Sequence, residues 1–427
     1  MARAGKRRKK DSVKKEMSGM DKRAGGKRIS LRPVQAAGVL WLVLIAVSGR
    51  AAASGPAGPI EITHGGVYSG NWTSNDARVA AVTIRTDEDV VLQNATVSGR
   101  GNVIAVTGGK NGAHVTIRNV TGTALDAGVS GAARGAFLLA QQVAALTVDH
   151  CTMTGMAFGI KASVSTPSVL RITNNRAVNL EDRASDGHGG LLPTRPVLGH
   201  FILLNHVVAA GGAEIAWNEA VQTMGSTSTE DAINIYESSG SKDHPIRVHD
   251  NYLEGQSTAV PGKSYTGTAL IADGSAAANA APTAWVVFEN NQVVATAGTA
   301  VGIAYGHDVT ARNNRVVSCG VDAAGHRYAW GANAVVLWNY YKVPGFYNNT
   351  ITGTTGGMAA PAHGGGMHAA NAWMNREGNP DASNSIGKNS FTDPCLVNGK
   401  VDLGAEDAER ARWKAKLAAA GQRVGVR

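Results

Sequence analysis

Between about residues 90 and 350, apolar and polar positions alternate over short stretches rich in Val, Ile and Thr, each ending in a polar pair. Period two over about four to eight residues marks half-buried strands, not amphipathic helices. Nine such phrases can be read: VVLQNATVSG, VTIRNVTG, LTVDHCTMTG, LRITNNRAVN, AEIAWNEAV, IRVHDNYLEG, VVFENNQVVA, VTARNNRVVS and GFYNNTITG. The second residue of each pair forms a marker row: Asn94, Asn119, His150, Asn175, Asn218, Asn251, Asn291, Asn314 and Asn349. The steps between them are 25, 31, 25, 43, 33, 40, 23 and 35 residues. The shortest steps define the unit, and inserted loops account for the rest.

A repeat of this length indicates a solenoid, a propeller or an array. The absence of helical patterns between the strands excludes the helical repeats, and a propeller blade needs about 40 residues. The remaining solution is an all-β parallel β-helix, with coils stacked about 4.8 Å apart. Asn tolerates the left-handed conformation that a sharp turn demands. Stacked Asn side chains also bond along the ladder, so these asparagines read as turn builders. Residues 54–89 are expected to cap the solenoid, whose exposed end would otherwise offer unpaired strand groups. The β-helix is expected over 90–400 and a helical tail over 401–427. In that tail AEDAERARWKAKLAAAG places acids early and bases late, as the helix dipole favours.

The formal charge of +9 invites a nucleic-acid partner, but its distribution removes that reading. Residues 1–33 hold 13 basic and 3 acidic residues, whereas residues 54–427 hold 27 basic and 29 acidic ones. The basic head runs into AAGVLWLVLIAV and then small residues at Ala51 and Ala53. This pattern describes an export signal cleaved after Ala53, with Met17 and Met20 as alternative starts. The apolar run is shorter than the roughly 20 residues of a membrane-spanning helix. No stable membrane span is expected after cleavage, an uncleaved anchor being the alternative; the expected location is periplasmic or extracellular. Cys151, Cys319 and Cys395 lack metal-site spacing. Cys319 with Cys395 is the pairing expected in an oxidising compartment, and small buried thiols are the alternative.

GGVYSGNW (Gly65–Trp72), INIYESSG, IRVHDNYLEG, GIAYGHDVTARNNRV and VVLWNYY carry a resemblance. The chain resembles the right-handed parallel β-helix proteins of the pectate-lyase-like superfamily, and more closely bacterial exported proteins known by that repeat. The resemblance covers residues 60 to 400. It implies a right-handed winding and a polysaccharide partner, because the superfamily acts on acidic or neutral polysaccharides as lyases, hydrolases or epimerases. No motif of its catalytic residues matches position by position.

Equivalent positions of successive coils lie in rows, so FILLNHV, INIYESS, ALIADGS, VGIAYGHD and VVLWNYY superpose. Leu203, Ile235, Ile271, Ile303 and Leu337 then point inward. Leu204, Tyr236, Ala272, Ala304 and Trp338 follow, and after them Asn205, Glu237, Asp273, Tyr305 and Asn339. The earlier coils are bland in this register. On adjacent rungs Glu237 and Asp273 would lie about 5–6 Å apart. Such a pair either shares a proton or holds a cation such as Ca²⁺; no other cofactor and no metal-ligand set is expected. The expected catalytic residues are therefore Glu237, Asp273, Tyr305 and His307. Tyr236, Trp338, Asn339 and Lys242 are expected to bind substrate. Insertions at 176–212 and 252–285 are expected to form the cleft. SDGHGG reads as a Gly-rich loop, and HGGGMH as a weak candidate for metal. The protein is expected to be a monomer that processes acidic glycans by elimination, hydrolysis or epimerisation. The alternative is a non-catalytic glycan-binding or structural surface protein.

Overall fold

Isoleucine, valine and leucine recur in stacked columns, and these columns are the axis on which the protein is built. The computed structural model describes residues 56–258, 266–330, 332–375 and 381–427, all within the compact unit Ala53–Arg427. The basic head and the expected export signal lie outside them. On the first face, eleven short strands form one parallel ladder, from Ile60–Ile62 through His200–Val207, Asp231–Tyr236, Thr268–Asp273, Val301–Ile303 and Val335–Leu337 to Ala372–Met374. Register stacks Val82, Ile104, Leu138, Ile160, Ile202, Ile233, Leu270, Val301 and Val335 in one inward column. Each is fully buried. At about 1.5–3 kcal/mol per buried side chain, such columns are the main source of stability.

A second, larger parallel sheet supplies the other two faces. One carries the column Ile117, Val148, Ile172, Ile215, Val248, Phe288, Ala311 and Ile351. The chain is thus a parallel β-helix. The first rung is Ile60–Ile62, paired with Val82–Ile84, so the ladder begins inside the segment expected as a cap.

The corner between the second and third faces turns on a left-handed residue, as expected, with one shift. The left-handed residues form one column, Asn94, Asn119, His150, Asn174, Trp217, Asp250, Asn290 and Asn313, so from Asn175 on it is the expected marker that falls one residue after the turn. The markers that follow them are buried and bond as a ladder. Asn175 donates to Asn218, Asn218 to Asn251, Asn251 to Asn291 and Asn291 to Asn314, all at 2.9–3.1 Å. Asn349 is not the next member. Register pairs Arg315 with Thr355, which puts Thr354 in the row and Asn349 beside Val309.

The helix Gly404–Ala420 lies along the barrel, with Glu406 and Asp407 in its first turn and no base in its last. Trp413 stacks on Tyr252 at 5.5 Å, and Glu409 pairs with Arg315. Cys319 and Cys395 form a disulfide and Cys151 is a buried thiol. Among the described residues no helix is long and apolar enough to cross a membrane.

Candidate functional site

The first face begins its seventh and eighth rungs with Glu230–Asp231 and Thr268, and ends the eighth with Asp273. These positions gather a carboxylate cluster. His200 Nε2, on the rung below, lies 3.3 Å from Asp231 Oδ2 and 3.4 Å from Glu230 Oε2. The amide nitrogen of Asn234 reaches Asp231 Oδ2 at 2.9 Å and Asp273 Oδ2 at 3.4 Å. Those two oxygens are therefore no farther apart than these lengths laid end to end. The Tyr341 hydroxyl donates to the other oxygen of Asp273 at 2.9 Å. His200, Asp231 and Asn234 are buried, and Glu230 is nearly so.

Crowded, poorly hydrated carboxylates resist ionisation. Burial first, then repulsion from Asp231, pushes Asp273 up to about 6 against hydrogen bonds from Gly274, Tyr341 and Asn234. Burial and the same neighbour hold Glu230 well above the ordinary carboxylate range. For His200 burial disfavours the charged form, but Asp231 and Glu230 outweigh it and raise its pKa. The His200, Glu230 and Asp231 donor atoms lie within 4.8 Å of one another, so this trio could hold a cation. Asn234 Oδ1 is buried beside it with no partner among the described residues.

The cluster opens into a cleft of about 1220 Å³ that runs over the later rungs. Asp231, Asp273, Gly302 and Val336 lie along its floor, Trp338, Tyr340 and Trp373 lie at the end of the later rungs, and Tyr341 reaches back from there to Asp273. Trp338 meets Tyr340 and Trp373 edge to face, at 4.7 and 5.0 Å. The walls are two segments: Arg327–Trp330, where Arg327 bridges to Val321 just after the disulfide-bonded Cys319, and the hairpin Thr355–Pro361/Met367–Ala369 with His363 and His368. Among the described residues the walls thus come from 327–330, 332–333 and 360–370, not from 176–212; the 252–285 insertion contributes Thr268, Ile271 and Asp273.

Register corrects the expected rows. Leu204, Ile235, Ala272, Ile303 and Leu337 form the inward column, so Leu203 and Ile271 point outward. Tyr236, not Glu237, pairs with Asp273. Glu237 stands one residue later in the left-handed corner (φ 44°), where Ser275, the Ala281 N–H and His206 hold its carboxylate. It therefore pins the loop after Asp273 and does not pair with that carboxylate. Tyr305 is buried against Tyr341, and Asn339 clamps the backbone of Val343 through both its amide atoms. His307 belongs to the second sheet, stacked on Tyr347 and bonded to Asp308. Lys242 is exposed in the turn Ser241–His244, apart from the cleft. Of the expected residues, the structure brings Asp273 and Trp338 into the cleft, with Tyr236 on its rim by register. SDGHGG is a loop closed by Asp186, which accepts the His188 and Gly190 N–H groups. Pattern reading missed His200, Glu230, Asp231, Asn234 and Tyr341. The signal for them was the acidic pair at the strand entrance, repeated one rung on by an acid at the strand exit.

These features define the class: a parallel β-helix with an acid-floored, aromatic-ended cleft along one ladder face. No protein-family model and no curated protein matches the chain. Among solved structures it is similar to the A-module of the mannuronan C-5 epimerase of Azotobacter vinelandii, at 12% identity and a TM-score of 0.24, over 78% of this chain and 75% of that one.

Proposed function

We propose that the protein is an exported polysaccharide-processing enzyme whose substrate lies in the cleft of the first face. One observation carries this: three carboxylates, Glu230, Asp231 and Asp273, converge with His200 at one end of a cleft whose other end is aromatic. Aromatic rings present the flat apolar faces on which sugar rings stack, and paired carboxylates supply acid–base chemistry at a glycosidic bond. Hydrolysis suits the set best. Asp273 donates its proton to the glycosidic oxygen as the bond to carbon breaks. Asp231, held by Asn234, attacks the anomeric carbon or takes the proton of the attacking water. Arg327, His363 and His368 along the wall are the partners for a sugar carboxylate, which favours an acidic glycan.

The test is to incubate the mature chain with acidic and neutral polysaccharides, with Ca²⁺ or with a chelator, and to follow reducing ends and unsaturated products. Asp231→Asn and Asp273→Asn should each lower kcat/KM by about 10²–10⁴-fold. Loss of activity in chelator alone would assign the His200–Glu230–Asp231 trio to a cation. Binding without turnover on every glycan would sink the catalytic reading and leave a glycan-binding protein.

A further inference from the structure

Two rows of side chains face outward on the first ladder. One runs Leu203, Asn234, Ile271, Gly302, Val336 and Trp373. The other runs Asn205, Tyr236 and Asp273, then Ala304 and Trp338, which directly follow the paired residues Ile303 and Leu337. On the rung Val301–Ile303 both rows shrink together, to no side chain at Gly302 and a methyl at Ala304. The neighbouring rungs carry Ile271 and Asp273 on one side and Val336 and Trp338 on the other. Rungs stand about 4.8 Å apart, so the flanking ridges are about 9.6 Å apart. The result is a dip one rung wide beside the carboxylate cluster, bordered on the Ala304 side by Tyr341, whose hydroxyl reaches Asp273, and both its residues line the cleft.

The backbone does not require this glycine. Gly302 is absent from the residues with positive φ. A Cβ there would meet its nearest neighbours, Thr299 and Ile271, at 3.4–3.7 Å, which is ordinary contact. Gly306 differs, since its φ is +90° and a Cβ would strike the Thr283 carbonyl oxygen at 1.8 Å. Gly122 differs too, because the ring of Phe137 occupies the space of its missing side chain. A glycine within a strand weakens it, and often marks where a ligand comes close. Over Gly302 that ligand would come from the cleft.

We infer that the dip at Gly302 and Ala304 seats the sugar ring on which the carboxylates act, between Asp273 and the indole of Trp338. This rests on the glycan-processing reading above. Gly302 then sets which rings enter: those without a bulky substituent on the face turned to the floor. Gly302 and Ala304 are specificity determinants and take no part in the chemistry.

The experiment compares Gly302→Ala, Gly302→Leu and Ala304→Leu with the wild type by Tm, glycan affinity and kcat/KM on the best glycan of the panel. Gly302→Ala, which adds one methyl to the floor, should lower kcat/KM on the order of 10-fold, less than either leucine variant. The two leucine variants should keep their Tm yet lose about 100-fold in kcat/KM, since a displaced ring misses the near-attack geometry. If Gly302→Leu fails to fold, Ala304→Leu alone decides the outcome. Wild-type turnover in a folded leucine variant, with Asp273→Asn inactive, overturns the seat and leaves the cleft reading standing. A wild-type protein that neither binds nor converts any glycan overturns both.

Discussion

Replacing Asp273 by Asn should stabilise the fold at neutral pH while removing activity. Asp273 is pushed from 3.8 up to about 6 by burial and by Asp231, with Glu230 adding to the crowding. That rise corresponds to about 3 kcal/mol. The side chain is only partly covered, so solvent screening leaves about 1.5 kcal/mol. The sign follows from linkage. The folded state holds this proton more tightly than the unfolded chain, so the stabilisation is present below about pH 4 and lost as pH rises through about 6. At about pH 7.5 the wild type carries the whole penalty of an ionised, repelled carboxylate, whereas Asn carries none and still accepts from Tyr341. Thermal melts followed by circular dichroism should show Asp273→Asn about 2–4 °C above wild type at about pH 7.5, and level with it near pH 4. A variant that melts lower at about pH 7.5, or an offset equal at both pH values, would refute the reasoning. Stability gained with function lost is the pattern expected where a site is kept under electrostatic strain.

Three further outcomes test the scaffold. Trp413→Ala removes a ring stacked on Tyr252 and Trp217 and an indole N–H donated to Glu219. It should destabilise by about 3–5 kcal/mol and expose the C-terminal helix to early proteolysis, read by Tm and timed digestion. Asn251→Ala breaks the ladder on both sides, because Asn251 accepts from the Asn218 backbone and side chain and donates to Asn291. The loss should be about 2–4 kcal/mol by denaturant titration, against a change within about 0.5 kcal/mol for the exposed Lys242→Ala. Opening the Cys319–Cys395 disulfide, which spans 76 residues, should lower stability by about 4 kcal/mol. It should also make Arg327 on the freed wall the first site of tryptic cleavage.

What could be read from the chain divides along physical lines. Alternation was legible because every coil buries one side of every strand, which leaves the pattern in each repeat. The asparagines were legible as a ladder for the same reason, although their division between turn and buried bond was not: NN, DN and WN pairs look alike until backbone φ is known. Register was not legible in Leu270–Ile271–Ala272, where three apolar residues adjoin and bulk favours Ile271 as the inward one. The inward residue is Ala272, because the column already mixes sizes, with Ala140 and Ala162 below and Ile303 above. A slip of one residue exchanges the faces of a strand. That slip aligned Asp273 with Glu237 and separated it from its partners on the floor.

The cluster itself arises where alternation carries no information. Glu230, Asp231 and His200 stand at strand entrances, where the chain is still leaving a corner and period two has not begun. The walls come from a hairpin and from a segment near the Cys319–Cys395 disulfide, so no local pattern placed Arg327 or His368 in the cleft that Asp231 lines. Gly302 follows the same logic most simply. In the sequence it is one glycine among 53. Only between Ile271 and Val336, in register, does its missing side chain become a dip in a floor, and only beside Asp273 does that dip have a chemistry to serve.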